Sequence, residues 1–99
     1  MAIDAIVLHS ADNVATAVQD LKVGQKAIVR LGREISHVSL VEDIPYGHKF
    51  AIRSITKGED ILKYGEVIGR ATNSIAAGCH AHVQNIESLR GRGDLNKEA

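Results

Sequence analysis

Between Gly24 and Asn85 the chain alternates short apolar runs with turn punctuation. Runs rich in Ile and Val are cut by Gly32, by "IPYG", "TKGED" and "KYG", and by "AAG", residues that supply the φ values and local hydrogen bonds of tight turns. This pattern predicts a mostly β domain. Period-two alternation is clearest in "EISHVSLVE", where Ile35, His37, Ser39 and Val41 would face one way and Ser36, Val38 and Leu40 the other. Both faces mix apolar with polar residues, as in a compact sheet folded over on itself rather than one layer of a simple sandwich. No long internal repeat is evident. Before Gly24, Asp12 reads as the N-cap of a short helix whose inward face would carry Val14, Val18 and Leu21, at spacings of four and three. Gly24 then ends it.

After Asn85 the apolar pattern fades. "ESLRGRGDLNKEA" sets glycines around arginine and carries little that could be buried to offset the entropy of ordering. This predicts a folded domain over 1–87 and a flexible tail over 88–99, ordered only by something outside the chain. Arg90 and Arg92 would then be available to a carboxylate or an acidic partner surface. The "RGD" at Arg92 to Asp94 matches an adhesion tripeptide, but a disulfide-free chain with no signal peptide makes it a coincidence.

Composition narrows the class. The 99 residues suffice for one core and not for two. Twelve basic residues balance twelve acidic ones, so the long-range field that gathers nucleic acid or anionic membrane is missing. With Tyr46, Phe50 and Tyr64 as the only aromatics, there is little for a base-stacking platform, and the core must be mainly Ile, Val, Leu and Ala. A single cysteine, Cys79, excludes an internal disulfide and fits a cytoplasmic protein. The start "MAIDAIVLHSADN" lacks a basic leader, and no segment approaches the length of a membrane span.

The groups that carry chemistry gather in two places. If "CHAHVQN" is a strand, His80, His82 and Gln84 share one face while Cys79, Ala81, Val83 and Asn85 take the other. A His-x-His pair can supply two ligands of a divalent site, with a third ligand or substrate oxygens completing the shell. No third ligand is evident nearby in sequence, and a plain structural role for both histidines stays open. Cys79 reads as a packing residue, because its neighbouring imidazole points to the opposite face. In "IPYGHKFAI", Pro45 and Gly47 make a tight turn that presents His48 and Lys49 at a defined place, although a solvated turn is an equal reading. His9 and His37 read as satisfied core or rim histidines. No phosphate loop, dinucleotide fingerprint or serine–histidine constellation is present.

Taken in order, "DNVATAV", "IPYGHKFAI", "KGEDILKYGEVIGRAT", "IAAGCHAHVQNIE" and "SLRGRGDL" resemble the N-terminal part of the altronate and galactarate dehydratase family over nearly the whole chain. The resemblance implies a SAF-type domain of the β-clip fold, mainly β with a short helix. In that family the domain is fused to a much larger catalytic portion or stands beside it as a small subunit. Met1 and the early end of the chain fit a stand-alone small subunit.

The implied activity is removal of water from a hexonate or hexarate to give a 2-keto-3-deoxy acid, with a divalent metal, commonly iron, held mainly by the large subunit. Such chemistry needs a base for the proton beside the carboxylate, positive charge or donors for the developing enediolate, and an acid for the departing hydroxide. The resemblance assigns His48, Lys49, His80 and His82 to this chain's edge of a composite catalytic site, with His80 and His82 toward metal. It places Lys49, Asn85, Arg90 and Arg92 toward substrate. Relatives often carry a third alternating histidine where this sequence has Gln84, a poor ligand for a transition metal, which shifts weight toward substrate binding or an interface. The alternatives are a non-catalytic lid or assembly module, and the small subunit of a sulfolactate sulfo-lyase-like enzyme, from which sulfite rather than water departs. The partners expected are a large subunit and a sugar acid, with self-association open and neither nucleic acid nor membrane involved.

Overall fold

The computed structural model describes residues 2–88, and all regular structure among them is β. The strands are β1 (Ala5–Val7), β2 (Val14–Ala17), β3 (Lys26–Leu31), β4 (Glu34–Ser39), β5 (Lys49–Ala51), β6 (Asp60–Lys63), β7 (Glu66–Ala71), β8 (His80–Ala81) and β9 (Ile86–Ser88). One sheet runs β4-β3-β1-β2-β5-β8 and a second runs β6-β7-β9. The first sheet curls so that its edges meet: Val41 N–H donates to Gly78 C=O at 3.0 Å, beside the start of β8. Arg90, Arg92 and most of the expected tail lie outside the described residues.

The central strands β2 and β5 are buried on both faces, and this organises the domain. Ala15, Ala17 and Phe50 join one core with Ala5, Val7, Leu21, Val29, Leu40 and Ile44. Their neighbours Val14 and Ala51 join a second core with Ile55, Ile61, Ala71, Ile75 and Ala81, under the β6–β7 hairpin. Successive residues of a strand point to opposite faces, so a strand between two apolar layers reads as an unbroken apolar run.

The short helix expected after Asp12 is not formed. Val14 and Thr16 are β-branched, and "VATA" buries both faces against different cores, which a helix with one apolar stripe cannot do. Asp12 is a cap of another kind. Its two carboxylate oxygens accept from the backbone N–H groups of Tyr64 and Gly65, each at 2.8 Å, and so hold the tip of the β6–β7 hairpin. Tyr64 and Gly65 have φ of 56° and 79°, the pair of positive values that a two-residue hairpin turn of the I′ type requires. Asn13, wholly buried, ties that hairpin to β2: its Nδ2 donates to Asp60 C=O and its Oδ1 accepts from Leu62 N–H, both at 2.8 Å.

A repeat that the letters conceal is plain in the hydrogen bonds. Four segments, "LKVG", "IPYG", "ITKG" and "IAAG", make the same turn, ending at Gly24, Gly47, Gly58 and Gly78 with φ between 82° and 89°. In each, the glycine N–H donates to the carbonyl of a residue at or just past the end of a strand, respectively Leu40, Ala17, Ala71 and Ala51. The turns pair two by two. Leu21 and Ile44 exchange both backbone hydrogen bonds (2.8 and 2.9 Å), as do Ile55 and Ile75 (both 2.8 Å). Side chains reinforce the first pair reciprocally: Val23 N–H donates to Asp43 and Tyr46 N–H donates to Asp20, each at 2.8 Å. The domain is therefore two similar hairpin units, one around β3–β4 and one around β6–β7, each closed by a bridge between turns.

Two of these glycines separate backbone cost from steric cost. A Cβ at Gly47 would meet nothing within 4 Å, whereas one at Gly78 would stand 2.1 Å from the Ser39 carbonyl oxygen. Gly47→Ala should cost about 1–2 kcal/mol for the left-handed conformation alone. Gly78→Ala should cost at least about 3 kcal/mol, because it also forces β4 and β8 apart. Thermal unfolding of the two variants measures the difference, at roughly 4–8 °C per kcal/mol for a domain of this size. Equal losses would show that the edges do not meet as described.

Candidate functional site

The turn ending at Gly47 delivers His48 and the turn ending at Gly78 delivers His80 to neighbouring places. β5 and β8 pair antiparallel with Lys49 opposite Ala81 and Phe50 opposite His80, so His48 comes to lie across from His82. Residues opposite each other in such a ladder project to the same face. The three imidazoles accordingly share the face that carries Phe50, at the end of the first core.

The rings stack in a loose triangle. Centroids are 4.3 Å apart for His48 and His82, 5.1 Å for His48 and His80, and 5.5 Å for His80 and His82. One ring nitrogen from each lies within 4.8 Å of the others, and all three residues are half-buried. Around an ion held at about 2.1 Å, three nitrogens would stand roughly 3.0–3.4 Å apart. His48 Nδ1 and His80 Nε2, at 2.9 Å, come close to that spacing, and His82 keeps a ring nitrogen within 4.8 Å of the other two. The third imidazole of the group was thus 32 residues away in sequence.

The backbone beneath the trio is fixed by side chains. Glu42 Oε1 accepts from His80 N–H at 2.8 Å. Asn85 clamps the turn after β8, accepting from His82 N–H (2.9 Å) through Oδ1 and donating to His80 C=O (2.9 Å) through Nδ2. Gln84 stands behind His80, its amide nitrogen 3.1 Å from His80 Nδ1. In that arrangement Gln84 donates to Nδ1, and His80 carries its proton on Nε2 toward His48. Were His80 Nε2 to hold a cation, its proton would stand on Nδ1 and the Gln84 amide could accept it through Oε1. Gln84 would then orient a ligand instead of being one, the role outer-shell partners of metal-bound histidines usually fill.

Burial and neighbouring charge both favour the neutral form of His80 and His82. Burial, then the charges that His48 and His82 would carry, then Lys49, hold His80 below the usual histidine value, with Glu42 pulling the other way. His82 is lowered by burial first, then by His48 and Lys49. A neutral imidazole is the ligand form.

Not every residue singled out in the sequence joins this group. Lys49 alternates to the opposite face of β5, beside Thr16 of β2, its register partner. Asn85 is occupied by the backbone of the turn. His9 is exposed, with Nδ1 accepting from Ala11 N–H at 3.0 Å, and His37 is exposed on β4. Cys79 packs against the second core. Sequence reasoning missed Glu42 as a neighbour of His80, because nothing in "LVED" signals it, and missed Gln84 as a support.

This small folded-over β domain thus brings three imidazoles together at one half-buried edge. The chain belongs to the altronate/galactarate dehydratase SAF domain family, which it matches over residues 3–89. It is 44% identical over 83 residues to the altronate dehydratase of Escherichia coli, covering 84% of this chain and 16% of that protein. The altronate dehydratase of Bacillus subtilis is 37% identical with the same coverage, 84% and 16%. The (2R)-sulfolactate sulfo-lyase subunit alpha of Chromohalobacter salexigens is 35% identical over 95 residues, covering 91% of this chain and 99% of that subunit. The chain thus spans only 16% of the length of those altronate dehydratases but nearly all of the subunit.

The depressed values of His80 and His82 set the sign of a pH effect. The folded chain binds fewer protons than the unfolded one where both forms compete, so this contribution is fully present above the ordinary histidine value of about 6.5. It is lost as pH falls through the lower folded values. The melting temperature of the metal-free protein should drop between about pH 7 and about pH 5, and should drop less in a His80→Gln, His82→Gln double variant. An unchanged slope in that variant would place the acid sensitivity elsewhere.

Proposed function

We propose that this domain acts in the cytoplasm as the SAF subunit of a sugar-acid hydro-lyase, with a large catalytic partner that removes water from a hexonate or hexarate. The carrying observation is the imidazole trio: one ring nitrogen from each of three histidines, delivered by two separate turns, within 4.8 Å at a half-buried edge. Imidazole suits the borderline divalent ions, iron among them. When bound, such an ion polarises a substrate oxygen and stabilises charge that develops beside it. His48, His80 and His82 would be the ligands contributed here, with Gln84 steadying His80 and the remaining coordination coming from the large subunit and the substrate.

The division of labour follows from the chemistry. The reaction takes the proton at the carbon bearing the carboxylate and expels the neighbouring hydroxyl as water, leaving an enol that becomes the 2-keto acid. Imidazoles engaged as ligands have no free pair for a proton, so the base and the acid belong to the partner. The likeness to a sulfo-lyase subunit alpha supports a variant in which sulfite departs instead; the proton-abstraction step is common to both.

A second reading has its own observation. His48, His80 and Gln84 already satisfy one another through contacts of 2.9 and 3.1 Å, as they would in a lid or assembly module whose histidines are purely structural.

Co-expression with a candidate large subunit, anaerobic purification with iron, and assay on hexonates, hexarates and sulfolactate test these readings together. Turnover should need both chains, and the leaving group should name the substrate class. His80→Ala should assemble normally, lose at least about ten-fold in turnover, and weaken Co(II) binding to the isolated domain, read from its visible spectrum. Full turnover by the large chain alone, or by the His80→Ala complex, would establish the lid instead.

A further inference from the structure

Two acids follow β4 in the stretch "VED", and the fold sends them to different places. Asp43 accepts from Val23 N–H at 2.8 Å and so belongs to the first pair of bridged turns. Glu42 goes the other way: its Oε1 accepts from the backbone N–H of His80, 38 residues along the chain, at 2.8 Å. Closure of the sheet brings these two residues together. Val41 N–H donates to Gly78 C=O at 3.0 Å, and a Cβ on Gly78 would stand 2.1 Å from the Ser39 carbonyl oxygen. The chain leaving β4 therefore lies directly against the residues that lead into β8, with Glu42 beside the first imidazole of that strand.

Capping a backbone N–H needs only an acceptor oxygen, which a neutral amide supplies as well as a carboxylate. The charge of Glu42 is left for another use. Among the described residues the ion pairs are Arg53 with Glu59 and Arg70 with Asp60, so no basic side chain there neutralises Glu42. Of the charged groups felt at His80, Glu42 is the acid, and Lys49 acts with the opposite sign. Imidazoles that bind a cation bring lone pairs and no charge, so a divalent ion among three of them keeps its full charge at a half-buried edge. An anion just outside the ligands offsets that charge without taking a coordination position. Glu42 stands in such a place: it contacts a ligand-bearing residue but lies outside the group of ring nitrogens gathered within 4.8 Å.

We infer that Glu42 is a positioning residue for a divalent cation held by His48, His80 and His82: its carboxylate fixes the His80 backbone and supplies, from outside the ligands, the negative charge that the imidazoles lack. This role presupposes the metal-holding trio proposed above and adds to it an acid carried in by a different strand. The two functions of the one carboxylate are separable. Glu42→Gln keeps the acceptor oxygen and removes the charge, whereas Glu42→Ala removes both.

Co(II) titration of the full chain at neutral pH, followed in the visible spectrum and set beside thermal unfolding of the metal-free protein, tests this role. Glu42 is exposed, so an amide there is tolerated. Glu42→Gln should leave the melting temperature and the shape of the bound Co(II) spectrum unchanged while weakening binding about five-fold, the scale of one exposed unit charge acting on a nearby divalent ion. That difference should close in about 1 M sodium chloride, where exposed charges are screened. Glu42→Ala should lower the melting temperature as well and bind Co(II) more weakly still. Equal affinity of Glu42→Gln and the unaltered chain at low salt, or a difference that salt leaves untouched, would reduce Glu42 to a backbone cap and overturn the assignment. Failure of the unaltered chain to bind Co(II) at all would instead remove the metal from this edge, and the role of Glu42 with it. The unaltered protein thus tells the two failures apart.

Discussion

The structure depends on the backbone bridges between paired turns. Leu21 with Ile44, and Ile55 with Ile75, exchange both hydrogen bonds deep in the protein, where an unpaired N–H or C=O would carry a full desolvation cost. Each bridge forces two distant turns into register and packs two large aliphatic side chains inward. The residues that leave those turns are thereby placed: His48 follows the turn bridged to Leu21, and His80 follows the turn bridged to Ile55. The imidazole trio is a consequence of that arrangement, since its members come from different hairpin units and meet only because β5 and β8 pair.

Double burial of β2 and β5 is the second constraint. A strand with a core on each side cannot put polar residues into either layer, so its chemistry is confined to the ends. β5 obeys this: Phe50 and Ala51 fill the two cores, and His48 and Lys49 just before them emerge on opposite faces. One tight turn thus serves two surfaces, presenting an imidazole on one face and an ammonium on the other. The Lys49 charge is still felt across the strand, helping to lower both His80 and His82.

Comparison with the relatives adds scale. The same SAF unit occupies a small part of the altronate dehydratases and nearly the whole of a sulfo-lyase subunit alpha, which suits a self-contained fold whose imidazole trio stands at one edge. A domain with two closed cores can be attached to a catalytic portion or supplied beside it without changing its own packing.

Turn punctuation and apolar runs determined the mainly β character, because glycine at positive φ and short Ile/Val segments are local requirements. The chain also carried the family resemblance, and with it His48, His80 and His82 as the residues to examine. Spacing could not supply three things. It read "DNVATAV" as a helix start, since an apolar run between two cores has no periodicity to betray it. It hid the repeat, since four turns share little beyond an aliphatic residue and a glycine three places later. The resemblance set Lys49 with the histidines, where alternation along β5 parts them. Long-range pairing decided the rest, because which strands and turns meet, and so which imidazoles share a face, depends on partners tens of residues away.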